Sequence, residues 1–246
     1  MYKLNIIKQT VGNHEAQLTG YLLDQSEEMA HIEERPAILI LPGGGYKYTS
    51  DREAEPVAMK YLAEGYQAFV LRYTVGSDHS FYDALHDAQT AIKQMRKHAE
   101  KWHIASDQIA VIGFSAGGHL AASLATMSKK EYRPNALLLG YPCILSNRSD
   151  ALAFDIPSVD EYVDEQTPET FIFSTFEDQV VPIENSLQFM LALDRYDVPF
   201  ESHIMQKGGH GLSLANELTC SGRDELINDQ FAEWFPLSVQ WLRQVL

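Results

Sequence analysis

Short apolar runs alternate along the chain with longer stretches whose apolar residues recur every three or four positions, the pattern of strands and helices taking turns on a mostly parallel sheet. Residues 4–8 and 18–23 predict two opening strands, the second with a period-2 alternation suited to an antiparallel edge. Residues 37–41 (AILIL) are wholly apolar and run into Pro42-Gly43-Gly44-Gly45, which predicts a central strand buried on both faces. Further strands are expected at 67–71, 108–112, 136–139, 171–174 and 200–205. Helical spacing predicts helices over 52–64, 82–101, 119–127, 184–195 and 229–246, with Gly65 stopping the first. Residues 146–168 fit neither period and exceed an ordinary connection, so a small cap or lid insertion is expected there. With no repeat, low-complexity tract or Gly/Ser linker, 1–246 reads as a single domain.

Composition narrows the partners rather than the fold. Hydrophobic residues make up 45% and charged residues 22% of the 246, enough for a full core. The net charge of −15 comes from acidic residues scattered along the chain, a field that repels phosphate backbones and anionic lipid. Nucleic acid is therefore excluded as a partner, and a neutral small molecule is favoured. Cys143 and Cys220 form no ligand cluster and read as two reduced thiols. The N-terminal residues show no secretion signal and no stretch is apolar enough to span a membrane, so a cytoplasmic location is the expectation. Oligomeric state is left open, with a homo-oligomer allowed.

Candidate chemistry centres on Gly113-Phe114-Ser115-Ala116-Gly117, a G-x-S-x-G string placed between an apolar strand and an alanine-rich helix. A sharp turn there exposes the Ser115 hydroxyl at a helix N-terminus, where N–H groups favour developing negative charge. A serine hydroxyl needs a base, and the base needs an acid to fix its tautomer. His210, flanked by glycines just after the last predicted strand, is the base; His119, on the helix after Ser115, is its main rival but suits a buried supporting role. Asp178, at the C-terminal end of strand FIFST, is the acid, with Glu177 and Asp155 as competitors. Gly44 and Gly45 follow the AILIL strand and, with Ala116, are placed to offer N–H groups to an oxyanion. Neither GxGxxG nor GxxxxGK[ST] is present, so a nucleotide site is not expected. Tyr46, Tyr48, Tyr73, Tyr141 and Phe176 follow strands or candidate catalytic loops and are candidates for a substrate platform; Asp87 and Arg96 read as structural polar groups.

The succession PGGGYKYTSDREAEPVA, LRY, DALHDAQTAIKQMRKHA, GFSAGGHLAA, EDQVVPIENS and KGGHGLSL, over about residues 35–215, resembles the α/β-hydrolase superfamily. More narrowly it is similar to hormone-sensitive-lipase-like esterases and bacterial acetyl-xylan-esterase-like, xylanase-associated esterases. The order Ser115, Asp178, His210 is the order of that fold. The resemblance implies an α/β-hydrolase fold with an eight-stranded, mostly parallel sheet flanked by helices. It also implies a cofactor-free Ser-His-Asp esterase for short acyl groups, in some relatives acetyl groups on sugars. Pro42 stands where the broader lipase pattern has histidine, and the long N-terminal cap of many lipase-like relatives is missing, which favours a small open acyl pocket. Thioesterase, arylformamidase and small peptidase activities use the same triad, and a non-catalytic binding protein on this scaffold is the alternative of a different class. No metal is expected at the site.

Overall fold

A computed structural model describes residues 3–146 and 152–246. Eight strands form one sheet: β1 (Leu4–Val11), β2 (Ala16–Leu23), β3 (Arg35–Leu41), β4 (Gln67–Arg72), β5 (Ile104–Phe114), β6 (Ala136–Gly140), β7 (Thr170–Thr175) and β8 (Phe200–Met205). Their spatial order is β1-β2-β4-β3-β5-β6-β7-β8. From β4 to β8 every neighbouring pair is parallel, while β2 runs antiparallel to both β1 and β4. The period-2 strand is thus antiparallel as expected, but the edge position belongs to β1. The tight turn at residues 12–15 folds β1 back along the outer side of β2, from Leu4 opposite Leu23 to Val11 opposite Ala16.

The central runs are apolar throughout because the sheet has a core on each face. Along β3, Ala37, Leu39 and Leu41 enter one cluster and Ile38 and Ile40 the other. Helices α2 (Phe81–Lys97), the one-turn α3 (Ala99–Trp102), α4 (Ala116–Met127) and α5 (Glu184–Arg195) cover the first face. Helices α1 (Glu55–Ala63), α6 (Asp229–Ala232) and α7 (Trp234–Val245) cover the second. Both faces of the central parallel strands are therefore dry, while β8 at the edge is partly exposed.

Three predicted helices are shorter or split, each for a local reason. Pro56 starts α1 in its first turn, where a missing N–H costs nothing, and Asp51–Glu53 form a separate 3-10 turn before it. The 82–101 helix breaks at His98, whose ring nitrogen and backbone N–H both meet the Gln94 carbonyl at 3.0 Å. The 229–246 helix restarts because Pro236 has no N–H to offer the Ala232 carbonyl. Of the expected cap at 146–168, residues 147–151 lie outside the described residues. The described part carries the 3-10 turn Val159–Tyr162 and packs Ile156, Val159 and Val163 into the first core.

Candidate active site

The turn between β5 and α4 places Ser115 at φ 53° and ψ −119°, outside the ordinary helical and extended regions. Its neighbours explain the two glycines. A Cβ on Gly113 would stand 2.1 Å from the Gly117 carbonyl oxygen, and one on Gly117 would stand 2.1 Å from that of Leu41. Only bare backbone passes here, and the strained turn lifts the Ser115 hydroxyl clear of the sheet.

That hydroxyl donates to Nε2 of His210 across 2.8 Å, and Nδ1–H of His210 donates to Oδ2 of Asp178 at 2.6 Å. The Asp178 side chain is 1% exposed and that of His210 17%. The other carboxylate oxygen of Asp178 accepts N–H groups from Val180 and Val181, both at 2.9 Å, so the acid is fixed from two sides. Glu177 points away and pairs with Lys207, whose hydrogen bond holds its carboxyl below the usual range. Asp155 is exposed on the segment between β6 and β7. Neither rival acid reaches His210 among the described contacts.

Gly44 and Gly45 adopt φ 130° and 64° and, with Ser115 and His210, line a cleft of about 320 Å³. Among the described residues, no protein acceptor engages the N–H of Gly44, Gly45 or Ala116. Gly43 differs: its N–H donates to Oε2 of Glu53 at 2.8 Å. The arrangement leaves three donors beside a serine, a base and a buried acid, the set needed to pass a proton and hold a developing oxyanion.

Five aromatic side chains were candidates for the substrate platform, and the fold separates them. Tyr48 is exposed at the cleft wall, whereas Phe176 is exposed but outside the cleft lining. Tyr46, Tyr73 and Tyr141 are buried and spend their hydroxyls on the scaffold. Tyr73 donates to the Pro42 carbonyl at 2.6 Å, Tyr46 meets Nδ1 of His119 at 2.8 Å, and Tyr141 donates to Oε1 of Glu53 at 2.6 Å. Burial, then the nearby Glu53 carboxylate, pushes the Tyr141 hydroxyl well above its ordinary pKa. His119 is fully buried and its Nε2 meets the Pro157 carbonyl at 3.0 Å; burial lowers its pKa to about 4, so it stays neutral. Asp87 is buried and accepts the Thr74 N–H at 2.8 Å, and Arg96 binds backbone carbonyls including that of Arg133 at 2.8 Å.

Two residues at the site carried no expectation. Glu53 is buried and joins the glycine loop, through Gly43, to Tyr141, whose hydroxyl also accepts the Ser213 N–H at 2.9 Å. Arg52 donates to the carbonyls of Gly211 and Thr219, on either side of the segment that follows His210. The pair therefore braces the base against the oxyanion loop. The only signal in the sequence was the charged run Asp51-Arg52-Glu53 in the segment that follows the glycine loop. Cys143 lines the cleft and Cys220 is buried elsewhere; neither is in a disulfide.

A strained serine at a strand-to-helix turn, hydrogen-bonded to histidine and a buried aspartate at the C-terminal ends of parallel strands, defines a serine hydrolase class. A family profile described as BD-FAE matches residues 23–137 and one described as the prolyl oligopeptidase family matches 140–220. The structure is similar to that of MGS-M1, an alpha/beta hydrolase enzyme from a Medee basin deep-sea metagenome library. That similarity has a TM-score of 0.92 and 47% identity over 98% of each chain. It is also similar to the carboxylesterase Cest-2923 of Lactobacillus plantarum, with a TM-score of 0.87 and 29% identity over 98% of this chain and 97% of that one. An acetylxylan esterase of Xylanibacter ruminicola is 27% identical over 229 residues, covering 83% of this chain and 47% of that protein. The chain spans about a third to a half of the length of the first curated relatives it matches. The chain belongs to the α/β-hydrolase family. Among the described residues no helix is long and apolar enough to cross a membrane.

Proposed function

We propose that the protein hydrolyses short-chain acyl esters through an acyl-Ser115 intermediate, and that its substrates include O-acetyl groups on neutral sugars such as xylo-oligosaccharides. The observation that carries this reading is the chain of hydrogen bonds from Ser115 to His210 to Asp178, opening on a cleft beside the N–H groups of Gly44, Gly45 and Ala116. Ser115 Oγ attacks the ester carbonyl carbon as Nε2 of His210 takes its proton, and the carbonyl electron pair moves onto oxygen. The Ala116 N–H and those of the glycine loop hold that oxygen, while Asp178 stabilises the imidazolium. Collapse expels the alcohol, which takes the proton from His210. Water, activated by the same histidine, then releases the acid and restores the serine. These steps draw on no metal or organic cofactor, and one domain over 1–246 supplies every group.

Support for a small acyl group comes from the cleft of about 320 Å³, which Leu152, Val180 and Val181 line together with Ser115. Tyr48, half-exposed to solvent at the wall, is the one proposed platform aromatic placed to lie against a sugar ring. The acetyl preference also follows the similarity to the acetylxylan esterase of Xylanibacter ruminicola. Rates on p-nitrophenyl acetate, butyrate and octanoate, together with acetate release from acetylated xylo-oligosaccharides, test the reading. Wild type is expected to favour acetate and to release acetate from the sugar, and Ser115→Ala to lose roughly 10⁴-fold or more of kcat. A preference for octanoate contradicts the small pocket, and activity on simple esters without acetate release contradicts the sugar substrate.

A further inference from the structure

Outside the lining of the catalytic cleft, three metal-ligating side chains from two distant stretches of chain meet on the surface. His14 sits in the turn between β1 and β2, His79 in the loop that leads into α2, and Asp83 in the first turn of that helix. Nε2 of His14 stands 3.2 Å from Oδ1 of Asp83, and the His14 and His79 rings lie 4.6 Å apart, tilted by 55°. One donor atom from each residue falls within 4.8 Å of the other two.

The carboxylate is already held in a ligand's posture. Oδ2 of Asp83 accepts the Ser80 N–H at 2.8 Å and the Ser80 hydroxyl at 2.7 Å, which closes the helix start and turns Oδ1 outward toward His14. A carboxylate oriented through its second oxygen is what tunes and fixes a metal ligand. Tetrahedral Zn²⁺, with bonds of about 2.0–2.1 Å to nitrogen and oxygen, sets its donors about 3.3 Å apart. His14 and Asp83 meet that spacing as they stand, and rotation of the half-exposed His79 ring brings in the third donor. Two imidazoles and one carboxylate select zinc, cobalt, nickel or copper over magnesium and calcium, which favour all-oxygen sites. The net charge of −15 raises the local concentration of any cation.

We propose that His14, His79 and Asp83 form a three-ligand site for a divalent transition metal of the zinc type, with the remaining position left to water. The metal staples the β1–β2 hairpin to the loop that precedes α2. That loop is itself tied to the catalytic end of the sheet, because the His79 N–H donates to the Gly76 carbonyl at 3.2 Å and the Gly76 N–H to the Tyr46 carbonyl at 2.8 Å, one residue beyond the glycine loop. The site is thus a stabilising clamp, separate from the ester-cleaving groups.

The test uses the full chain, stripped with EDTA and titrated calorimetrically with ZnCl₂, alongside His14→Ala, His79→Ala and the double variant, none of which touches the catalytic cleft. Wild type is expected to bind about one equivalent, each single variant to bind at least tenfold more weakly, and the double variant to lose this binding. At zinc about a hundredfold above the dissociation constant, the wild-type melting temperature is expected to rise by about 5 °C or more, with no rise in MgCl₂ or in the double variant. Zinc affinity in the double variant within tenfold of wild type, or no saturable wild-type binding up to about 1 mM, overturns the site.

Discussion

At the scale of single residues, the proposed catalytic groups stand in short local patterns, and the groups that hold them do not. Ser115, Asp178 and His210 each sit in a short pattern whose shape is set by local backbone needs, and the structure brings the three within hydrogen-bond reach of one another. Glu53 and Arg52 act across 88 residues to Tyr141 and 167 to Thr219, and no local pattern encodes such pairings. The same holds for Tyr46, Tyr73 and Tyr141, whose position after strands suggested a platform but whose hydroxyls are taken up by His119, Pro42 and Glu53. Glu53→Gln places an amide where the carboxylate now accepts from both the Gly43 N–H and the Tyr141 hydroxyl. It is expected to lower kcat/KM by about 10–100-fold through misplacement of the glycine loop and the histidine, with the thermal melt still cooperative. His119 gives a pH signature. Its folded pKa of about 4 lies below the ordinary histidine value of 6.5, so its contribution to stability is complete above about pH 6.5 and is lost as pH falls toward 4. Between about pH 7.5 and about pH 5.5 wild type is expected to lose on the order of 1 kcal/mol from this group, a loss absent in His119→Gln when urea unfolding is followed at both values.

At the scale of elements, periodicity located every strand of the sheet and missed mainly the ends and breaks. Apolar runs such as 37–41 were legible because both faces of β3 are buried, leaving no polar residue to blur the pattern. The breaks at His98 and before Pro236 were harder to see because the apolar spacing continues through them, while the His98 backbone turns away to φ −106° and ψ 15° and Pro236 has no N–H to give. The edge position of β1 was hidden for a different reason: a hairpin has the same local pattern whichever of its strands lies outside. The element that matters most for function is the turn from β5 into α4. Gly117→Ala forces a methyl to within 2.1 Å of the Leu41 carbonyl oxygen, against backbone that cannot step aside. It is expected to destabilise the fold by about 1–3 kcal/mol and to abolish most activity, measured by denaturant unfolding and p-nitrophenyl acetate turnover.

At the scale of the whole molecule, the sheet gathers the ends of β5, β7 and β8 so that nucleophile, acid and base meet although they lie 95 and 32 residues apart in pairs. The net charge of −15 sets a negative field about the molecule as a whole, which works against polyanionic substrates. An acetyl ester of a neutral sugar is therefore expected to be cleaved with a higher kcat/KM than the same acetyl group on a polyanionic carrier, and the gap to narrow as salt is raised. The account stands or falls on Ser115 as the activated nucleophile. Its most direct test is treatment with a fluorophosphonate, followed by intact mass and peptide mapping of wild type, Ser115→Ala and His210→Ala. One adduct on Ser115, absent in Ser115→Ala and formed far more slowly in His210→Ala, is the predicted result; no adduct, or an adduct on another residue that persists in Ser115→Ala, contradicts it.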